Sequence, residues 1–320
     1  METLTKPSYK DIQSAALRMA GLVHHTPVLT STAINEMTGM EAYFKCENFQ
    51  KVGAFKYRGA TNAILSLTDE QASRGVATHS SGNHAAALAL AARKKGIPCY
   101  VAMPENAPLV KIEAVKHYGA EITFCEPTLQ SREDTLKEII RKTGAVFIHP
   151  FDNFDVICGQ GTAAKEFLDE VPGLDILLVP VGGGGLLSGS SIAAKSIKPD
   201  ILVYGCEPSN ADDACRSFHS GKIHPSVKPN TVADGLLTSL SELTFSIIRE
   251  NTDDIYTVSE ASILYAMRLI WQRMKIIIEP SSAVPVAVML EHKNQFAGKK
   301  VGIIISGGNC DLSNLPFHES

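Results

Sequence analysis

Short apolar runs alternate with amphipathic ones along most of the chain. Ile12, Ala15, Ala16 and Met19 recur at helical spacing behind Ser8 and Asp11, which stand as a capping box, so a helix opens the chain. Short strands follow at about 26–29 and 42–46. From Gly75 the pattern becomes regular: GVATHS, IPCYVAMP, AEITFCE and AVFIHP read as strands, separated by helices at 83–95, 109–118 and 132–143. Strand and helix in strict alternation imply a parallel sheet with right-handed crossovers. A second series starts after Pro150, with DILLVPV, ILVYGCEP, DIYTVSE and KKVGIIIS as its strands. The expectation is an α/β protein of two open parallel-sheet domains. A small one at 68–149 is inserted in a larger one made from 1–67 and 150–320. Ligands of such sheets bind outside the carboxyl ends of the strands.

Composition narrows the class. At 320 residues, 44% of them hydrophobic, the chain is long enough for two packed cores. A formal charge of −4, with no Lys/Arg-rich block, offers no field for a phosphate backbone and argues against nucleic acid as a partner. The start, METLTKPSYKDI, lacks the apolar core of a signal peptide, and no apolar run approaches the roughly 20 residues that span a bilayer. A cytoplasmic protein without a membrane partner is expected. The seven cysteines are scattered and never spaced Cys-x-x-Cys, which implies neither a disulfide framework nor a thiolate zinc site.

Four turns carry the candidate chemistry. Val52–Ala60, VGAFKYRGA, sets Lys56 beside Phe55 at the start of a helix, where an amine can be held partly desolvated; taken alone, a lysine there is more often a solvated charge. Ser80-Ser81-Gly82-Asn83-His84 joins a strand to an alanine-rich helix and offers hydroxyls and free N–H groups to a carboxylate or phosphate, although Ser or Asn before a helix also serves as a plain cap. Gly182-Gly183-Gly184-Gly185 lets the backbone approach an anion and aim several N–H groups at it. No Lys-Ser/Thr follows to make a Walker A loop, and Leu186, Leu187 and Ser188 occupy the places where Gly-x-Gly-x-x-Gly would need its last glycine. Ser306-Gly307-Gly308-Asn309 closes the last strong strand with a hydroxyl able to face the same cleft; by itself it reads as a strand-ending turn.

A reactive lysine, a phosphate cradle and a hydroxyl-bearing floor are what pyridoxal phosphate requires. In these motifs, in their order and at their spacing, the chain resembles the fold-type II pyridoxal-phosphate enzymes of the serine racemase and threonine dehydratase family over nearly its whole length. Tyr57 stands where the cysteine synthase branch usually has aspartate, which speaks against sulfhydrylase chemistry. The resemblance implies that Lys56 is the Schiff-base lysine, that Phe55 packs on the ring and that Asn83 bonds the ring hydroxyl. It implies that Gly182, Gly183, Gly184, Gly185 and Leu186 hold the phosphate, and that Ser306 faces the pyridine nitrogen and leaves it largely unprotonated. Ser80, Ser81, Asn83 and His84 would grip the substrate carboxylate, with Arg132 joining from the small domain.

The same resemblance implies a two-base reaction. Lys56 and Ser81 would work on opposite faces of Cα, interconverting L- and D-serine, with elimination of the β-hydroxyl to pyruvate and ammonia alongside. Glu207, the carbonyl of Ala211 and Asp213 match a family segment that binds Mg2+, Ca2+ or Mn2+, whereas an acidic loop of this kind otherwise reads as a solvated helix cap. The rival activity is that of a threo-3-hydroxyaspartate or threonine ammonia-lyase, which VGAFKYRGA and Pro150-Phe151-Asp152-Asn153 also resemble. Ser31, Thr32, Lys51, Tyr118, Lys275 and Asn309 match positions that bind ATP as an activator in some members, although Ala86 replaces a glutamine found there. A homodimer is expected on the same ground.

Overall fold

The computed structural model describes residues 5–80, 82–107, 109–313 and 315–317. Among the described residues, ten strands form two sheets. The larger has six: β1 (Val28–Thr30), β2 (Glu41–Cys46), β7 (Ile176–Pro180), β8 (Leu202–Pro208), β9 (Asp254–Val258) and β10 (Lys300–Ile305), in the order β1-β2-β10-β7-β8-β9. Only β1 runs antiparallel to its neighbour. The smaller sheet is fully parallel and contains β3 (Val76–His79), β4 (Cys99–Pro104), β5 (Glu121–Cys125) and β6 (Val146–Phe147), in the order β5-β4-β3-β6. Its strands come from one continuous stretch, while those of the larger sheet come from both ends of the chain.

Local sequence explains most elements. Strand β7, and β10 after its first residue Lys300, are apolar because helices cover both faces of the larger sheet. The first helix starts where Ser8 N donates to Asp11 Oδ2 at 2.8 Å. Asn83–Lys95 has the bounds that its sequence predicts. Three elements differ from expectation, each for a visible reason. The helix expected from 132 begins at Leu129, because Thr128 Oγ1 accepts from Ser131 N at 3.1 Å. Strand β1 begins two residues late, since Thr26 turns inward to donate to Glu47 Oε1 at 2.5 Å. Strand β6 stops at Phe147; beyond it, His149 Nδ1 accepts the N–H groups of Phe151 and Asp152 at 3.3 and 2.9 Å and bends the chain.

Three helices cross without room for side chains. A Cβ added to Gly159, in Phe154–Glu170, would lie 2.6 Å from Gly59 Cα in Lys56–Leu65. A Cβ added to Gly189, in Gly185–Ile197, would lie 2.6 Å from Gly161 N. The middle helix therefore touches, backbone to backbone, the helix that begins at Lys56 and the helix behind the glycine loop. Tyr57, Ala60, Ala63 and Ile64 also pack with the alanines of Asn83–Lys95, so the lysine helix shares the core of the smaller sheet. The described cysteines are free thiols, and no helix among the described residues is long and apolar enough to cross a membrane.

Candidate active site

The lysine turn is held by the end of β10. Ala54 bridges Gly307, Phe55 N donates to Ser306 O at 2.9 Å, and Gly308 N donates to Gly53 O at 2.9 Å. Val52 sits at φ 58°, an uncommon conformation for a β-branched residue, and Asn309 Nδ2 donates to its carbonyl at 2.7 Å. Lys56 Nζ lies 5.1 Å from the centre of the Phe55 ring and donates to Pro150 O at 2.9 Å. Burial pulls the amine down to about 8, against the opposing charge of Glu279. On the order of a tenth of this amine is thus neutral near physiological pH, far more than an ordinary lysine offers to a nucleophilic or proton-accepting role.

At the facing edge, Asn83 opens its helix at the end of β3. Its Nδ2 donates to both oxygens of Glu279 at 3.1 Å, and its Oδ1 accepts from Asn309 Nδ2 at 2.9 Å. Three turns far apart in sequence are joined by this chain of amides. Ser80 Oγ accepts from Gly82 N at 3.3 Å. Ser81 lies outside the described residues. The His84 ring is buried with Nε2 on Ile148 O at 3.2 Å, and burial, with the charge of Lys56 adding to it, holds it neutral well below the usual histidine range. The ring is thus committed at Nε2 only: Nδ1 has no hydrogen-bond partner, and the His84 N–H lies in the first turn of its helix. Arg132 Nε donates to Thr128 O at 3.4 Å, and its charge helps to lower His79 after burial, so it stands close to the same strand ends.

The glycine loop follows β7 and starts the helix Gly185–Ile197, with Gly184 at φ 86°. Its walls are tight: a Cβ on Gly183 would lie 2.2 Å from the Phe151 ring, and one on Gly185 would lie 2.9 Å from Phe151 Cβ. Side chains are excluded, and the first-turn N–H groups of a helix remain to be satisfied, which suits a phosphate. Ser306 is buried at the far side, 3.0 Å from Ser282 Oγ; that hydroxyl also donates to Gly307 O and accepts from Gly307 N, both at 2.7 Å. Lysine, glycine cradle and buried serine together fit pyridoxal phosphate.

Sequence reasoning missed Glu279 and Ser282, and it singled out Pro150-Phe151 only as part of a lyase-like segment, not as the contact of Lys56 and of the glycine loop. Glu279 is buried, and burial, with Asp234 adding to it, pushes it up to about 7. In sequence it reads only as the residue before Pro280 at a helix start. Asp234 also pairs with Lys111, tying the loop beside the glycines to the helix Leu109–His117 of the smaller sheet.

Glu207, one residue before the end of β8, accepts from Ala214 N and Cys215 N at 3.0 and 2.9 Å. Burial, with Asp213 and Asp212 adding to it, raises Glu207 to about 9; burial likewise raises Asp213 to about 6. Neither oxygen of Asp213 has a hydrogen bond of good geometry, with Ser226 as its polar neighbour. Two buried carboxylates with so little compensation, beside the half-turn that contains Ala211, fit a hard divalent cation. Among the described residues, no group of three or more His, Cys, Asp and Glu side chains gathers as a metal cluster.

The residues matched to a nucleotide are only partly brought together. Tyr118, Ala86 and Asn309 line a cavity of about 750 Å³, which Asn83, Lys111 and Asp234 also line. Lys275 and Asn309 line a second of about 410 Å³, and the two share Gly53, Asn309 and Cys310. Ser31, Thr32 and Lys51 line neither. Ser31 caps the helix Thr32–Thr38, and Lys51 Nζ donates to Leu22 O at 2.6 Å.

A two-domain α/β architecture with a lysine facing a glycine cradle defines a class, that of cofactor-dependent enzymes working on amino acids. The chain belongs to the pyridoxal-phosphate dependent enzymes, whose family model matches residues 19–307. It is 54% identical over 319 residues to a serine racemase of Dictyostelium discoideum, covering 98% of both chains. It is 49% identical to a β-hydroxyaspartate dehydratase of Paracoccus denitrificans, covering 98% of this chain and 99% of the relative. The solved structure of maize serine racemase superposes with a TM-score of 0.95 at 46% identity, covering 97% of this chain and 95% of that one.

Proposed function

We propose that the protein interconverts L- and D-serine and also eliminates the β-hydroxyl of serine, giving pyruvate and ammonia. The relationship to the Dictyostelium serine racemase, which runs through nearly the whole of both chains, carries this reading. When bound, pyridoxal phosphate supplies an aldehyde for amines and a conjugated ring that weakens the Cα–H bond of an attached amino acid. The protein does the rest. Backbone N–H groups of Gly182, Gly183 and Gly184 in the loop, and of Gly185 and Leu186 at the helix start, would hold the phosphate, Phe55 would pack on the ring, and Asn83, steadied by Glu279 and Asn309, is set to meet the ring hydroxyl. Ser306 offers a hydroxyl rather than a carboxylate to the pyridine nitrogen, so that nitrogen stays largely unprotonated. Ser80, Ser81, Asn83 and the main chain at His84 receive the substrate carboxylate, with Arg132 nearby.

Lys56, with its lowered proton affinity, takes or returns the Cα proton on one face, while Pro150 O steadies the amine. Ser81 does so on the other. Lys56→Ala abolishes racemisation and elimination together, whereas Ser81→Ala spares elimination of L-serine far more than racemisation; equal loss of both refutes the two-base assignment. Glu207, Ala211 and Asp213 hold Mg2+ or a similar cation. Activation by ATP, a homodimer, domain boundaries at 68 and 149 and a cytoplasmic location complete the reading, and kinetics indifferent to Mg-ATP would remove the nucleotide from it.

A second activity is favoured by the Paracoccus relative and by Pro150-Phe151-Asp152-Asn153: ammonia-lyase action on 3-hydroxyaspartate or threonine. Cofactor-loaded protein is incubated with L-serine and Mg2+, and D-serine is measured by chiral chromatography alongside pyruvate, with L-threonine and L-threo-3-hydroxyaspartate in parallel. D-serine together with pyruvate supports the racemase. Rapid elimination from the other substrates without D-serine refutes it in favour of the lyase.

A further inference from the structure

The helix that begins at Lys56 is not closed by its own residues. Phe55 provides no side-chain cap, and Phe55 O is taken by Arg58 N at 2.9 Å, one residue earlier than α-helical bonding would take it. Tyr57 N is likewise drawn to Ala54 O, at 3.3 Å. The first turn is thus tightened, and Gly59 N turns to another helix: it donates to Gln160 Oε1 at 3.2 Å across a separation of 101 residues.

Gln160 is 1% exposed, on the helix Phe154–Glu170. Its approach depends on both partners of the crossing. A Cβ at position 59 would lie 2.4 Å from Gln160 Nε2, and one at position 159 would strike Gly59 Cα. Nε2 itself has no hydrogen-bond partner. A buried amide that leaves its N–H groups unpaired carries a desolvation cost on that side, so the use of the residue lies in its carbonyl oxygen. That oxygen does for the lysine helix what an N-cap side chain does elsewhere, but from a neighbouring helix.

We propose that Gln160 is a positioning residue for the reaction: by capping Gly59 N from outside, it fixes the first helical turn and with it the direction in which Lys56 presents its amine. The proposal rests on the reading of Lys56 as the cofactor lysine. The helix that carries Gln160 also touches the helix behind the glycine loop, at Gly161 and Gly189. One buried helix thereby holds the lysine and the phosphate cradle at a fixed separation. Displacements of about an ångström at a reacting group are enough to slow chemistry without weakening binding.

Two readouts test it. In cofactor-free protein, amide hydrogen exchange at Gly59 is slow in the wild type and roughly tenfold faster in Gln160→Met, which keeps the volume and loses the acceptor. In the loaded enzyme, Gln160→Met lowers kcat for serine about five- to tenfold and leaves KM within about twofold. Gln160→Glu, which keeps an acceptor on the same stem, retains slow exchange and most of kcat. Should Gln160→Met fold poorly, wild-type exchange and Gln160→Glu decide the matter. Gly59 exchanging as fast as an unstructured amide in the wild type overturns the proposal, and so does Gln160→Met with unchanged exchange and kcat. Lys56→Ala that still gives the visible absorbance of lysine-bound cofactor overturns the reading of Lys56 instead, and the proposal with it.

Discussion

The carboxyl of Glu207 should make the metal-free protein less stable as pH rises through neutrality. Burial is the main cause that lifts it from 4.5 to about 9, and the backbone N–H bonds from Cys215 and Ala214 only partly oppose it. Between those two values the native state keeps a proton that the unfolded chain has released. Stability is therefore lost with increasing pH, at about 1.4 kcal/mol per pH unit. Other groups titrate between pH 7 and 8 as well, so the slope is read as the difference between wild type and Glu207→Gln. Asp213 at about 6 has nearly completed the same kind of loss below this window, while Glu279 at about 7 finishes its own inside it. His149, pulled down to about 4 by burial, acts with the opposite sign only up to the ordinary histidine value. Lys56, at about 8, begins to regain stability across the same window and roughly offsets Glu279 there. Urea unfolding in EDTA, with cofactor removed, should thus show a fall of about 1.4 kcal/mol from pH 7 to 8, absent in Glu207→Gln. Saturating Mg2+ should flatten the wild-type slope and, at a hundredfold excess over its dissociation constant, add about 2.7 kcal/mol. Parallel wild-type and Glu207→Gln curves in EDTA would refute the reasoning about Glu207, and equal responses to Mg2+ in the two proteins would refute the cation site.

The glycine cradle and the buried ion pairs give further tests. Gly183→Ala should weaken pyridoxal-phosphate binding about 10- to 100-fold in an absorbance titration, since the new methyl meets Phe151 and shifts the N–H groups; Phe151→Ala in the same chain should recover part of the loss. Arg58 is fully buried between Glu47 and Glu166, with Nη2 at 2.8 and 2.7 Å from their carboxylates. Arg58→Met should cost about 3–5 kcal/mol in urea unfolding, because Glu47 would remain buried without its counter-charge. Lys56→Ala should remove the visible absorbance of lysine-bound cofactor while leaving the urea midpoint close to that of the cofactor-free wild type.

Much of this molecule is written in short stretches of its sequence. Alternation of apolar strands with capped helices fixes the two sheets, parallel but for β1, because hydrophobic period, capping residue and glycine turn act within a few residues of one another. The lysine turn, the tetraglycine and Ser306 are legible for the same reason: each is a local device at a strand end or helix start. Tertiary structure alone supplied their partners. Glu279 reaches Asn83 across 196 residues, Ser282 reaches Ser306 across 24, and Gln160 reaches Gly59 across 101. Nothing near those residues in sequence encodes the meeting, which depends on how closely glycine-lined helices cross and where β10 delivers its last residues. Proton affinities belong to the same level. Lys56 and Glu207 are ordinary ionisable side chains in the sequence, and only their removal from water lowers the proton affinity of the one and raises that of the other.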